Sequence, residues 1–266
     1  MRGLQSGAHA EPDAQHSSGV VRAGRGVSER PSNASFGRSV ARQITSQVLE
    51  NSAITQTNLE IARSARFFSG LLEGQENGIE VLSKLSALEE VTLRSIGTEN
   101  VEYIANLPKL WWLDIKLGGI RDFSPSENKH SIKYLELWQV RGLSDLRFIS
   151  SLTGLQYLFL RSLRNVTAIP DLSKLTMLRR VHLENMKGLK DVTAVAHAPA
   201  LEEFSHFSAQ NIEPKKYEAL LSMPTMRSVS VGFGSRKKNE AFAELATRNG
   251  KNLDAGGKLG KQFVFV

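Results

Sequence analysis

Large apolar residues recur along the middle of the chain in one pattern that is written three times. Each copy has apolar residues at its first, fourth and sixth positions, and the copies begin at Ile132, Leu155 and Leu178. The alternation at the fourth and sixth positions is typical of a short strand with one buried face. A spacing of about 23 residues, with one strand in each copy, predicts a repeat solenoid whose turns contribute strands to a single parallel sheet.

The same spacing extends the array to about seven turns over residues 79–234. The turns begin at Leu88, Leu110, Ile132, Leu155, Leu178, Leu201 and Met226. The side chains predicted to point into the core are Val91, Leu93, Leu113, Ile115, Leu135, Leu137, Leu158, Leu160, Val181, Leu183, Phe204, Val229 and Val231. We therefore expect an α/β solenoid with one parallel sheet on its concave face and a cap at each end.

The regions outside the array have a different composition. Residues 1–36 have few large apolar side chains and predict a disordered tail. Residues 37–78 predict an N-terminal helix and cap, with an amphipathic helix over 38–49. Residues 235–266 predict a C-terminal helical cap and basic tail, with a helix over 237–248 that stops at Gly250. We expect the final segment 263–266 to fold back over the apolar end of the solenoid or to pair as a last strand.

A family resemblance rests on these strands and on two segments that follow them, Leu143-Ser144-Asp145-Leu146 and Leu189-Lys190-Asp191-Val192. The chain resembles leucine-rich repeat proteins of the short bacterial type, similar to the repeat domains of internalins. It departs from them where that family carries an asparagine that bonds the backbone at the bend. The residues found there are Ile96, Gly118, Val140, Leu163 and Met186. The bend must therefore satisfy its backbone groups in another way.

The residues between the inward-pointing positions form the predicted concave surface, whose middle is aromatic. The predicted protein-binding residues are Arg94, Trp112, Asp114, Lys116, Tyr134, Glu136, Trp138, Tyr157, Phe159, Arg161, Arg180 and His182. Exposed Trp, Tyr and Arg often dominate binding energy, so Trp112, Trp138 and Tyr157 are the expected anchors. The alternative is that these aromatic side chains only stack on one another. Trp111 precedes the face and is expected to pack in the core or at the edge.

The sequence favours a non-enzymatic scaffold for protein–protein interaction. It has no glycine-rich phosphate loop and neither an H-E-x-x-H nor a G-x-S-x-G motif. The expectation is no catalytic residue, no metal and no cofactor. The open alternative is a metal site that combines His182 and His206 with Glu184 and Glu203 on neighbouring turns.

Charge and compartment complete the picture. From residue 214 onward, ten Lys and Arg residues face four acidic residues, which accounts for +6 of the formal +7. Nucleic-acid or phosphate binding through Arg236, Lys237 and Lys238 is therefore an alternative, although a short basic cluster is usually a solvated helix start. With no cysteine and no apolar run of 18 residues, we expect a soluble, monomeric, cytoplasmic protein without membrane contact. The Ser- and Arg-rich start resembles organelle transit peptides and also type III export signals. It leaves open an exported effector that uses the same face on a host protein, beside an inert tail or a regulatory arm.

Overall fold

The computed structural model describes residues 44–45, 66–71, 79–251, 253 and 263–266, with only the backbone described at 44–45 and 68–71. The predicted tail at 1–36 lies outside the described residues, as does most of the predicted N-terminal cap. The remaining elements belong to one array.

The described strands form one parallel sheet of nine strands in chain order. The strands are β1 (Ile44–Thr45), β2 (Phe67–Leu71), β3 (Glu90–Arg94), β4 (Trp112–Lys116), β5 (Tyr134–Trp138), β6 (Tyr157–Arg161), β7 (Arg180–Glu184), β8 (Glu203–Phe207) and β9 (Ser228–Gly232). Inward positions stay in register from strand to strand; for example, Leu135 is opposite Leu158, which is opposite Val181. The predicted solenoid with a single parallel sheet is confirmed.

The sheet continues past the predicted start of the repeats. Phe67 pairs with Glu90 at the same 23-residue step, and Ile44 pairs with Phe68. The helix predicted over 38–49 is wrong at its two described residues, Ile44 and Thr45, which are strand. An unpaired edge of β3 would leave a row of backbone N–H and C=O groups without partners, and added strands satisfy them.

Short helical segments lie behind the sheet and enclose the core. The 3-10 helices are Ile79–Lys84, Ser124–Ser126, Arg147–Ser151, Thr193–His197 and Pro214–Tyr217, and the α-helices are α1 (Glu102–Ala105), α2 (Glu218–Leu221) and α3 (Arg236–Arg248). Leu158, Leu160 and Leu183 are wholly buried between the two layers. The apolar positions of each turn therefore form one continuous core along the solenoid.

The bend after each strand solves the problem left by the missing asparagines. Each bend after β3 to β8 contains one residue with a left-handed backbone, with φ between 53° and 61°; these residues are Ser95, Leu117, Gln139, Ser162, Asn185 and Ser208. The backbone ladder of the sheet continues into these bends, where the N–H of Ser95 donates to the Lys116 carbonyl at 2.8 Å and that of Gln139 to the Arg161 carbonyl at 2.8 Å. Backbone groups at the bend are thus bonded to the backbone of the next turn without an asparagine side chain. The following position holds apolar residues such as Ile96 and Leu163, both wholly buried.

Helix α3 covers the C-terminal end of the core. It begins one residue before the predicted start, with Ser235 as the N-cap residue, and Gly250 follows it with φ of +67°. Its Phe242 is buried against Tyr217 and Phe233, with ring centroids 5.5 and 5.6 Å away. None of the helices among the described residues has the length and apolar character needed to cross a membrane.

Candidate protein-binding surface

The parallel register sorts the concave side chains into rows that run across the strands. The first strand position forms what we call the aromatic row, which consists of Trp112, Tyr134, Tyr157 and Arg180. The last strand position forms the outer row, which consists of Arg94, Lys116, Trp138, Arg161, Glu184 and Phe207. The middle position between them carries Asp114, Glu136, Phe159, His182 and Ser205. All twelve predicted binding residues lie in these rows.

The aromatic row is a continuous stack. The rings of Trp112 and Tyr134 are stacked with centroids 3.6 Å apart, and Tyr157 meets Tyr134 edge-on at 5.1 Å. The guanidinium of Arg180 lies 5.2 Å from the Tyr157 ring centre, and its Nε donates to Glu203 at 2.6 Å. Stacking between turns was the alternative to binding, and it is present here.

The expected exposure is wrong for three of the four residues of the aromatic row, which include one expected anchor, Trp112. Trp112 is only 4% exposed, Tyr134 3% and Arg180 5%, whereas Tyr157 is half-buried. Phe159 in the middle position is also buried, at 9%. Alternation along a strand predicts that this row faces solvent. Most of the row is instead covered by other parts of the protein.

A buried ion cluster lies beside the aromatic row, where open charges are expected from the sequence. Lys116 Nζ lies 2.9 Å from Asp114 Oδ2 and 3.2 Å from Glu136 Oε1. Glu136 also accepts a hydrogen bond from the hydroxyl of Tyr134 at 2.7 Å. Burial and the nearby Glu136 carboxylate raise the pKa of Tyr134 well above its usual value. All three charged residues are at most 9% exposed, so they hold turns together and do not flank an open site.

The outer row contains the accessible part of the predicted site. Trp138, Arg161 and Phe207 are half-buried and Arg94 is exposed. The Arg161 guanidinium lies 4.7 Å from the Trp138 ring centre and 3.2 Å from Glu184. His182 and Arg161 hold the pKa of the Glu184 carboxyl below its usual range. These contacts fix the orientation of large side chains that still face solvent.

The last four residues of the chain, which we call the terminal segment (263–266), cover the aromatic row. Phe265 packs edge-on against Trp111 at 5.2 Å and reaches Trp112 at 6.2 Å and Tyr134 at 6.3 Å. Phe263 lies 5.4 Å from Tyr157. The expectation that this segment closes the apolar end of the solenoid or pairs as a strand is wrong, because aromatic contacts on the concave side hold it instead.

Four residues that directly precede the strands form a functional set that the sequence did not reveal. We call this set the edge row; it consists of Trp111, Lys133, Gln156 and Arg179. Lys133, Gln156 and Arg179 bind backbone groups of the terminal segment. Their recurrence at the repeat spacing, one position before the aromatic row, is a signal that could have found them.

Solved structures that share this architecture include two internalins. An internalin of Listeria monocytogenes, InlF, matches with a TM-score of 0.55 and 25% sequence identity, over 70% of this chain and 54% of its own chain. Internalin C2 of the same species matches with a TM-score of 0.52 and 20% identity, over 76% of this chain and 85% of its own. The fold is an internalin-type leucine-rich repeat. The chain thus spans about half the length of InlF, and neither a family model nor a curated protein sequence matches it.

His182 packs among neighbouring side chains on the concave side of the leucine-rich repeat array. His182 Nδ1 lies 2.7 Å from the Ser205 hydroxyl, and its ring is flanked by Phe159 and Phe207 at 4.3 and 5.5 Å. Ser205, His182 and Glu184 are the residue types of a nucleophile, a base and an acid, and Glu184 lies 3.8 Å from His182 Nε2. Ser205 is 0% exposed, however, so its hydroxyl is not accessible to a substrate carbonyl.

His206 and the predicted metal site are arranged differently from the expectation. β8 pairs with β7 in unbroken register, and His206 points inward opposite Leu183 with 1% exposure. Its Nδ1 lies 2.8 Å from the Tyr217 hydroxyl. His182 and His206 therefore lie on opposite faces of the sheet, and no group of three or more His, Asp or Glu side chains among the described residues is placed to hold a metal.

The basic cluster at the start of α3 is partly neutralised. Arg236 Nε lies 2.7 Å from Glu240, and Lys238 Nζ lies 2.8 Å from Glu213. Lys238 also donates to the backbone carbonyls of Gln210 and Ile212. Two of the three cations thus serve the fold locally, which does not favour this end as a nucleic-acid or phosphate site.

Proposed function

We propose that the protein is a non-enzymatic scaffold that binds a partner protein through the concave side of its leucine-rich repeat array. One observation carries the proposal: this side already holds a stretch of polypeptide, the terminal segment, through aromatic contacts and hydrogen bonds to its backbone. A surface that recognises both side chains and backbone has the chemistry of a protein-binding site.

The dimensions of the sheet suit such a role. Neighbouring strands are about 4.8 Å apart, so nine strands span about 40 Å. A standard interface takes about 800 Å² from each partner. A partner that lies along the outer row therefore has a sheet of suitable length to contact beside the terminal segment.

The outer row supplies the anchors for this partner. Trp138 is held by the Arg161 guanidinium, which is itself paired with Glu184. Side chains that are fixed before binding lose less conformational entropy when a partner immobilises them. Trp138 and Arg161 are thus the expected centre of the interface, with Arg94 and Phe207 toward its ends.

The test replaces the two central anchors and leaves the core untouched. Wild type, a Trp138→Ala and Arg161→Ala double variant, and the control Arg147→Ala are immobilised, and proteins captured from cell extracts are quantified. Arg147 is an exposed residue of a 3-10 helix behind the sheet. We expect a partner whose capture falls at least about tenfold with the double variant and is unchanged with the control. Equal capture by all three proteins would contradict the proposal.

A further inference from the structure

The terminal segment is recognised through alternate side chains. Phe263 is 6% exposed and lies against Tyr157, with the guanidinium groups of Arg179 and Arg180 at 4.7 and 5.0 Å from its ring centre. Phe265 is half-buried against Trp111 and the stacked pair of Trp112 and Tyr134. The two rings also touch each other, with centroids 4.8 Å apart. Two neighbouring pockets thus take the first and third residues of the segment.

The residues between these pockets point away from the array. Val264 is 62% exposed and Val266 is 64% exposed. Alternation of buried and exposed side chains is the geometry of an extended chain. The site therefore distinguishes residues 263 and 265 by their side chains and makes little use of the side chains at 264 and 266.

The edge row binds the backbone of the same segment. Gln156 accepts from the N–H of Val266 at 2.9 Å and donates through Nε2 to its main-chain oxygen at 2.7 Å. Lys133 Nζ donates to that oxygen at 2.7 Å, and Arg179 donates to the carbonyl of Val264. A side-chain amide that bonds both backbone groups of one residue imitates a neighbouring strand, so any extended chain can make these bonds.

From this arrangement we propose that the aromatic row and the edge row form a docking site for an extended protein segment with two aromatic residues separated by one residue. The terminal segment occupies this site in competition with a partner segment of the same chemistry. The proposal rests on the proposed scaffold function and specifies what kind of partner segment the concave side takes. It concerns a second area of that side, distinct from the outer row. The terminal segment serves as the template for the partner.

The connection between the terminal segment and the array sets the strength of the competition. Leu253 pairs with Val229, and the nine residues 254–262 separate Leu253 from Phe263. A short tether gives an effective concentration on the order of 1 mM. If the free segment binds with a Kd of about 0.1 mM, the tethered segment fills about nine-tenths of the sites and raises the apparent Kd of a competitor about tenfold.

The experiment uses a fluorescein-labelled peptide of residues 261–266 and the full chain. Peptide binding is followed by fluorescence anisotropy with wild type, with a Phe263→Ala and Phe265→Ala double variant, and with a Val264→Ala and Val266→Ala matched control. We expect the double phenylalanine variant to bind the peptide about tenfold more tightly than wild type, because its own segment no longer fills the pockets. The valine control should bind like wild type.

Two further comparisons define the specificity. A peptide with both phenylalanines replaced by alanine should lose binding to the double variant, and a peptide with both valines replaced by alanine should keep it. Adding Gln156→Ala to the double variant should weaken the binding of the original peptide at least about fivefold, the loss of a pair of hydrogen bonds. Circular dichroism checks that each variant is folded; if the double variant is not, Phe265→Ala alone provides the same comparison.

Several outcomes would overturn the inference. Equal peptide affinity for wild type and the double variant would mean that the terminal segment does not occupy the site, and equal affinity for the alanine peptide would remove the aromatic specificity. These failures are separate from a failure of the proposed function. If the Trp138 and Arg161 double variant loses a partner but no protein binds the peptide, this inference alone is contradicted. If the peptide binds but no partner depends on Trp138 and Arg161, the scaffold function is contradicted.

Discussion

His206 occupies a position where its neighbours in the sheet are apolar, with Leu183 on one side and Val231 on the other. One ring nitrogen faces the hydroxyl of Tyr217 at 2.8 Å, and the other has no hydrogen-bond partner among the described residues. Burial, together with the charge of nearby His182, lowers the pKa of His206 to about 4. Because the neutral ring is the form that the core accepts, protonation opposes folding at this residue.

The pH dependence of stability tests this burial. In the unfolded chain a histidine has a pKa of about 6.5, so the unfolded state binds a proton at His206 before the folded state does. Its contribution is fully present above about pH 6.5 and is lost as the pH falls toward 4, by about 3 kcal/mol in total. The His206→Gln variant does not titrate and retains a hydrogen-bond acceptor for Tyr217.

The measurement is urea unfolding between pH 4 and 7.5 for both proteins. We expect the unfolding free energy of wild type to fall more steeply than that of the variant, with the curves converging or crossing at low pH. Parallel curves would show that His206 is protonated as easily in the folded protein as in the unfolded chain.

The bend after each strand is the element that holds the turns at their spacing. Its left-handed residue and the backbone bond to the next turn recur from Ser95 to Asn185. The turns approach closely at these bends. A Cβ atom at Gly118 would lie 2.4 Å from the carbonyl oxygen of Ile96, whereas one at Gly119 would meet nothing nearer than 3.6 Å.

The two adjacent glycines make a matched test of this approach. We expect Gly118→Ala to lower the unfolding free energy by about 1–3 kcal/mol, because backbone must move to relieve the overlap. Gly119→Ala should change it by no more than about 0.5 kcal/mol. Urea unfolding of the two variants provides the measurement, and similar losses in both would mean that close contact at Gly118 is not what the bend requires.

The parts of the structure that sequence could predict are those set by period. The inward positions of β5 to β7 follow the 23-residue step, because each faces an equivalent position in the next turn. β2 escaped the pattern since Gly70 stands at the register position of Leu93, where the pattern needs a large apolar residue. The exposure of the concave face was not predictable, because the contact of Val266 with Gln156 joins residues 110 positions apart.

At the scale of the whole molecule, each turn is supported by its two neighbours. The terminal segment crosses several turns and is an exception, since it contacts the beginnings of β4 to β7. Stability in such an array is close to a sum over turns and their interfaces. Terminal turns with one neighbouring strand should therefore open more readily than central ones.

Native-state hydrogen exchange, followed by mass spectrometry, tests this gradient. We expect backbone amides of β5 and β6 to exchange at least about tenfold more slowly than those of β9, which pairs with β8 on one side and, among the described residues, with Leu253 at a single bridge on the other. A common rate for all three strands would mean that the array opens only as one unit.

The fixed spacing of the turns also sets the distance between the two pockets of the docking site. Two residues of an extended chain advance about 6.8 Å, and neighbouring strands are about 4.8 Å apart. The Phe263 pocket lies on β6 and β7 and the Phe265 pocket on β4 and β5, so the two pockets are neighbours that receive residues two apart, a match that holds only while β5 and β6 are adjacent. Duplication of a turn between these strands would separate the pockets and break the match. Duplication after β8 would lengthen the array without changing the distance between the pockets.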